Sequence, residues 1–393
     1  FRIQPLRWDK PAGKPGIGYI SMLLENGKLA KVSRFSLRSD GLAVDGAVEF
    51  TSPGESLKHI VFKTIKVGKT DMEGIMKRLP RGEWAASFGG ESLDLSSHLA
   101  RNDEKRDASK KDEDDTKIQL SADFKRVWLN ERHWISKAEG RLTKDGGVWV
   151  SARLTGEIGK KEKNTFRMAI GPQKNGNRRL VVQADDAGET LKAFDLYENM
   201  LGGKLDVRAE YDDALPSRPI KGVMTVENYR IIKAPTLARL ASVASIVGIL
   251  ENLNGKGLSF NSLELPFQLD DGLLTVKDAS AKSISLGLTA SGEISLKKNN
   301  VDIEGTFIPM YALNSVLSNI PVVGSIFSGG DKNGGVFAAS YSLKGSVKDP
   351  KIRVNPLTVL APGFLRNIFK IFKPGEPIPD SLDDGFFDQP SSL

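Results

Sequence analysis

Apolar and polar residues alternate along most of this chain, and a period of two restricts its fold more than any other feature. "GLAVDGAVEF" (Gly41–Phe50), "KIQLSADF" (Lys117–Phe124) and "GKLDVRAEY" (Gly203–Tyr211) each place apolar side chains on one face and polar ones on the other. In the C-terminal half Leu263, Leu265, Phe267 and Leu269 share a face, as do Ile284, Leu286, Leu288 and Ala290, then Ile294 and Leu296. Phe337, Ala339, Tyr341 and Leu343 follow the same rule. Asp-Gly pairs in "LDDGLL" (Leu269–Leu274) and "TKDGGVWV" (Thr143–Val150) mark hairpin turns. The pattern predicts a mainly β chain: an elongated, twisted antiparallel sheet forming an open groove with an apolar interior, with a few short helices towards the C-terminal end.

Helical stretches recur in one format. "ETLKAFDLYENMLGGKLDVRAEY" (Glu189–Tyr211) reads as helix, Gly-Gly, strand; Pro235–Phe260 and Tyr311–Leu343 repeat it with longer apolar helices, the last interrupted at Pro321. Repetition of one supersecondary unit favours a sheet built by addition. "RNDEKRDASKKDEDDTK" (Arg101–Lys117) has charges of both signs and no large apolar side chain, which predicts a mobile loop between strands.

Composition removes several classes of function. The chain has no cysteine, which excludes disulfides, Cys-ligated metal and thiol catalysis and fits an oxidising compartment. Its net charge of +7 is spread along the sequence rather than gathered into the basic stripe of a nucleic-acid binder. His59, His98 and His133 lack metal-type spacing. "GKT" at Gly68–Thr70 resembles the end of a phosphate-binding loop, but the leading glycine would have to stand where Lys63 is. "SGGDKNGG" (Ser328–Gly335) lacks the Gly-Lys-Ser/Thr ending, and there is no G-x-S-x-G elbow. No enzyme, metal or cofactor is therefore expected. No apolar run is long enough to span a bilayer. The chain starts at Phe1 without a methionine, and the expectation is a piece of a longer protein whose anchoring segment lies upstream.

Near the C-terminus, "NPLTVLAPGFLRNIFKIF" (Asn355–Phe372) breaks a strand with two prolines and opens a short amphipathic helix. Phe364, Leu365, Ile368, Phe369 and Phe372 form its apolar stripe, with Arg366, Lys370 and Lys373 opposite. It is too short to cross a bilayer. It suits lying in a membrane interface, or packing its stripe against the sheet.

The last third, from about Ala234 to Phe369, resembles the C-terminal region of the AsmA-like family, of the large YhdP-like kind. The pieces that carry the resemblance are "APTLARLASVASIVGILENLNGKGLSF", "GLLTVKDASAKSISLGLTASGEIS", "VDIEGTFIPMYALNSVLSNIPVVGSIF" and "GVFAASYSLKGSVKDPKIRVNPLTVLAPGFLRNIF". "ADDAGETLKAFDLYENMLGGKLDV" (Ala184–Val207) also resembles the family, whereas the first 180 residues share only its strand-rich character. The resemblance implies a taco-like β-groove in the Gram-negative periplasm, anchored in the inner membrane by an N-terminal helix. It also implies a part in moving phospholipid towards the outer membrane.

The expected organisation is a strand-rich segment over 1–183, a helix-Gly-Gly-strand unit over 184–233, an AsmA-like region over 234–373 and a Pro-rich tail over 374–393. The expected activity is to hold acyl chains in the groove and conduct phospholipid between the two membranes. An envelope assembly factor that aids outer-membrane proteins through a free strand edge is the alternative, and a hydrolase with a site scattered in sequence is a remoter one. The groove lining is expected to include Leu263, Leu265, Phe267, Leu269, Ile284, Leu286, Leu288, Phe337, Tyr341 and Leu343. Expected partners are phospholipid, the outer-membrane side of the envelope and other envelope proteins, with no nucleic acid.

Overall fold

A computed structural model describes residues 2–3, 8–9, 11–99, 116–159, 164–234, 236–239, 257–309 and 338–357. The chain divides into two compact units: Phe1–Pro172 with Lys192–Leu196, and Gln173–Leu191 with Tyr197–Leu393.

The first unit contains β1 (Arg2–Ile3), β2 (Trp8–Asp9), β3 (Gly16–Glu25), β4 (Lys28–Ser39), β5 (Leu42–Phe50), β6 (Leu57–Val67), β7 (Thr70–Arg78) and β8 (Trp84–Asp94). After the short helix α1 (Ser96–Leu99) follow β9 (Ile118–Trp128), β10 (Trp134–Asp145), β11 (Val148–Ile158) and β12 (Asn164–Pro172). β1 and β2 pair only with each other, and β3 to β12 form one sheet in sequence order. Where the loop is two residues long the turn chemistry is the expected one. Gly146 and Gly147 both take positive φ between the paired Asp145 and Val148, a type I′ geometry that matches strand twist.

One junction departs from the predominantly antiparallel pattern. β8 and β9 are parallel, Trp84 aligned with Ile118 and Asp94 with Trp128. Parallel neighbours need a long return connection. Leu95–Lys117 supplies it, and the charged stretch expected to be a mobile loop falls there, up to Asp115 outside the described residues.

The second unit contains β13 (Arg178–Ala184), the start of α2 (Ala187–Ala193), β14 (Met200–Tyr211), β15 (Ile220–Ile231), β16 (Leu258–Asp270) and β17 (Leu273–Lys282). β18 (Leu286–Ser295), β19 (Asn300–Pro309), β20 (Ala338–Ser346) and β21 (Lys351–Leu357) complete it. All pairs within it are antiparallel, again in sequence order. Asp186 starts α2, its carboxylate accepting the Glu189 N–H at 2.9 Å, as an N-cap should. Residues 236–239 are helical where the second apolar helix was expected; the rest of that helix and all of Tyr311–Phe327 lie outside the described residues.

Among the described residues the protein is mostly β, in twisted strands, with few helices. In each unit the strands in extensive contact are sheet neighbours, with no second sheet packed face to face among the described residues. Among the described residues each unit has one sheet layer. That decides where an apolar face can go.

Candidate functional site

Cross-strand register in the second unit sorts its residues into ladder rows, and the rows alternate sharply in character. One row runs Leu205, Val226, Leu263, Ala281, Leu288, Phe307, Ala339 across seven strands without a polar residue. The adjacent row runs Asp206, Thr225, Glu264, Ser280, Thr289, Thr306, Ser340, Asn355 without an apolar one. Because side chains of successive residues point to opposite faces, these two rows belong to opposite faces. The apolar face continues in the row Gly222, Phe267, Val276, Gly292, Ile303, Leu343, Ile352 and in the row Tyr211, Ile220, Leu269, Leu274, Ile294, Val301.

Seven of the expected lining residues therefore share one face: Leu263, Leu265, Phe267, Leu269, Leu288, Tyr341 and Leu343. Leu286, fully buried opposite Pro309, lies on it too. The four lining residues of β16 are half-buried, whereas Leu205, Val226 and Phe307 on the same face are buried. Ile284 departs from the expectation. It stands in the bend between β17 and β18, where Ser283 N–H bonds the Leu286 carbonyl at 2.8 Å, and is 83% exposed. The period-two count carried through a turn, and the turn broke it. Phe337 lies outside the described residues, as do Phe364, Leu365, Arg366, Ile368, Phe369, Lys370 and Phe372 of the expected membrane-facing helix.

Tyr341 shows how a polar atom is accommodated on this face. Its hydroxyl donates to the Thr289 carbonyl at 2.6 Å, two strands away, and its ring lies over Gly305, its cross-strand partner. A Cβ at Gly305 would overlap the Thr289 oxygen and the Tyr341 ring, so only glycine admits the crossing. Burial pushes the phenol up to about 12, keeping it neutral.

The first unit carries its own apolar face. Its central row reads Phe35, Gly46, Phe62, Gly74, Phe88, Ala122, Gly140, Leu154, Met168. Phe35 meets Phe62 edge-on at 6.2 Å between centroids, and Phe62 lies 6.2 Å from Phe88. Leu42, Val44, Ile65 and Trp8 form the buried cluster beside them. Apolar β3 side chains are left to solvent, Ile17 being 72% and Tyr19 57% exposed.

Among the described residues no three His, Cys, Asp or Glu side chains are grouped to hold a metal ion. His59 lies against Glu49, His98 is on α1 and His133 is bonded to Asn130, so the three histidines sit on separate elements. No helix among the described residues is long and apolar enough to cross a membrane. What this geometry offers is an extended apolar surface backed by a polar one.

A family model described as YhdP protein matches residues 63–352, most of the chain and all of β7 to β20. The chain belongs to the YhdP family. Comparisons with curated proteins and with solved structures return no match. The YhdP match begins in β6, so it extends over strands in which the sequence alone shows only a strand-rich character.

The paired glycines were the residues that alternation missed in this YhdP-family chain. Gly46, Gly74, Gly222 and Gly305 each sit inside a strand on the apolar face, opposite or beside an aromatic ring. Their signal was present in the sequence: a glycine inside an alternating run marks close approach.

Proposed function

We propose that this YhdP-family chain binds phospholipid acyl chains along its apolar sheet face and conducts lipid between the inner and outer membranes across the periplasm. The observation that carries the reading is the uninterrupted apolar row from Leu205 to Ala339, with a wholly polar row on the opposite face and no second sheet layer among the described residues. Large apolar surfaces are rarely left to water on soluble proteins, and acyl chains supply the cover that a second layer would give. Each methylene that leaves water contributes ~0.8 kcal/mol, so a chain of a dozen or more methylenes has a strong reason to stay in contact. The rows continue from strand to strand, so a chain can slide from one to the next without leaving apolar surroundings. The activity is physical: nothing is cleaved, and phosphate heads stay at the wet rim. In the whole protein the proposed setting is periplasmic, with an inner-membrane anchor upstream and the segment 362–373, apolar and cationic by turns, resting at the outer-membrane side.

Photo-crosslinking amino acids placed singly at Leu265, Leu288 and Leu343 are expected to capture phospholipid, identified by mass spectrometry. The same probe at Glu264 and Lys344, on the opposite face, should capture little. Capture at Glu264 and Lys344 alone, or at none of the five, would overturn the reading.

A further inference from the structure

On the polar face of the second unit lies a pocket of ≈570 Å³, within the ~300–1,000 Å³ usual for small-molecule sites. Its wall is the β14–β15 hairpin loop, and that wall is fixed. Asp212 N–H bonds the Pro219 carbonyl at 2.9 Å, Arg218 N–H bonds the Leu215 carbonyl at 3.0 Å, and Arg178 grips Asp213 through Nε at 2.9 Å and Nη2 at 2.6 Å. The loop holds Leu215 at the lip, 47% exposed, facing Val223 and Pro266, a cross-strand pair on the floor.

Charge in the pocket is divided. Lys221 and Lys277 line it and make no ion pair or hydrogen bond among the described residues, although Lys221 is opposite Glu210 in register. On the other side Glu210 is held in place by Asn175 and Asn177, whose amides donate to its Oε1 at 2.8 and 2.7 Å, and Asp212 accepts from the Ala214 N–H at 3.2 Å. Two free ammonium groups and two anchored carboxylates thus line one pocket with an apolar floor. A simple anion would meet the carboxylates, and a simple cation the lysines. A ligand carrying both charges meets neither penalty.

We propose that this pocket is a second site, on the face opposite the acyl surface, for a zwitterionic amphiphile of the phosphate-plus-ammonium kind. The phosphate lies between Lys221 and Lys277, the ammonium lies against Glu210 and Asp212, and the first methylenes of the tail lie between Leu215 and Pro266. The site stands whether or not the apolar face carries lipid.

The test is calorimetric titration of the whole chain with dodecylphosphocholine below its micelle concentration, beside dodecyl phosphate and dodecyltrimethylammonium. Saturable binding of the zwitterion is expected, at least tenfold tighter than either comparator. The double variant Lys221→Ala/Lys277→Ala should weaken it at least tenfold and Glu210→Gln about threefold, with melting unchanged because both lysines are exposed. Equal binding of dodecyl phosphate, undiminished affinity in the lysine variant, or no saturable heat would each overturn the proposal. Loss of affinity on Leu265→Asp with none on the lysine variant would reassign the heat to the apolar face and overturn it as well.

Discussion

The apolar faces of the two units are made of different materials. In the first unit the central row alternates ring and glycine, Phe35, Gly46, Phe62, Gly74, Phe88, so that each aromatic spreads over a neighbour with no side chain. In the second the central row is mostly aliphatic, Leu205, Val226, Leu263, Ala281, Leu288, with a single ring at Phe307 and no glycine. Both solutions give an apolar surface. They differ in what a substitution must disturb: a ring-over-glycine row fails by overfilling, an aliphatic row by leaving a void.

The largest effect should come from emptying the second unit's row. Phe307 is 2% exposed, and Phe307→Ala is expected to cost ~3–5 kcal/mol in urea unfolding followed by circular dichroism. Phe62 is only half-buried, and Phe62→Ala should cost ~1.5–3 kcal/mol. Equal losses would mean that the two rows are packed alike.

Overfilling separates ring-over-glycine sites from the aliphatic row more finely. Gly74→Ala places a methyl into the Phe88 ring and the Ser87 carbonyl, and Gly305→Ala into the Tyr341 ring and the Thr289 carbonyl. Each should cost ~1–3 kcal/mol, whereas Ala281→Gly in the aliphatic row should cost no more than ~1 kcal/mol. A neutral result at Gly74 would remove the close approach on which the contrast rests.

The smallest effect tests the Tyr341 hydroxyl on the aliphatic unit's face. Tyr341→Phe loses the bond to the Thr289 carbonyl, and a loss of ~0.5–1.5 kcal/mol is expected at neutral pH. The folded phenol titrates at about 12, above the ~10 of an unfolded tyrosine. Its contribution is therefore intact below pH ~10 and is lost as pH rises from ~10 towards 12. Stability of the wild type should fall across that window, and the phenylalanine variant should show a shallower fall there.

Much of the second unit's face was readable in advance. Leu263, Leu265, Phe267 and Leu269 share a face in the sequence count and in the ladder alike, because alternation within one strand is a local property of extended backbone. The hairpins at Gly146-Gly147 and Asp271-Gly272 were readable for the same reason, since positive φ is cheap for these residues. Ile284 was misread because the count ran on through a bend. The glycines of the apolar face were invisible to a pattern that scores only apolar against polar.

What the sequence alone determined is the strand content, the turns and the parity of each strand, all fixed by dihedral preferences and side-chain alternation over a few residues. What only the tertiary structure decided is which strands lie side by side and what covers their faces. No local rule made β8 and β9 parallel: that follows from where the connection at Leu95–Lys117 returns the chain. Nor could alternation tell a buried face from an uncovered one, since the same Leu-x-Leu-x-Phe run serves a two-layer core. Whether an apolar row has a packed second layer over it depends on neighbours far away in sequence, and none is present among the described residues.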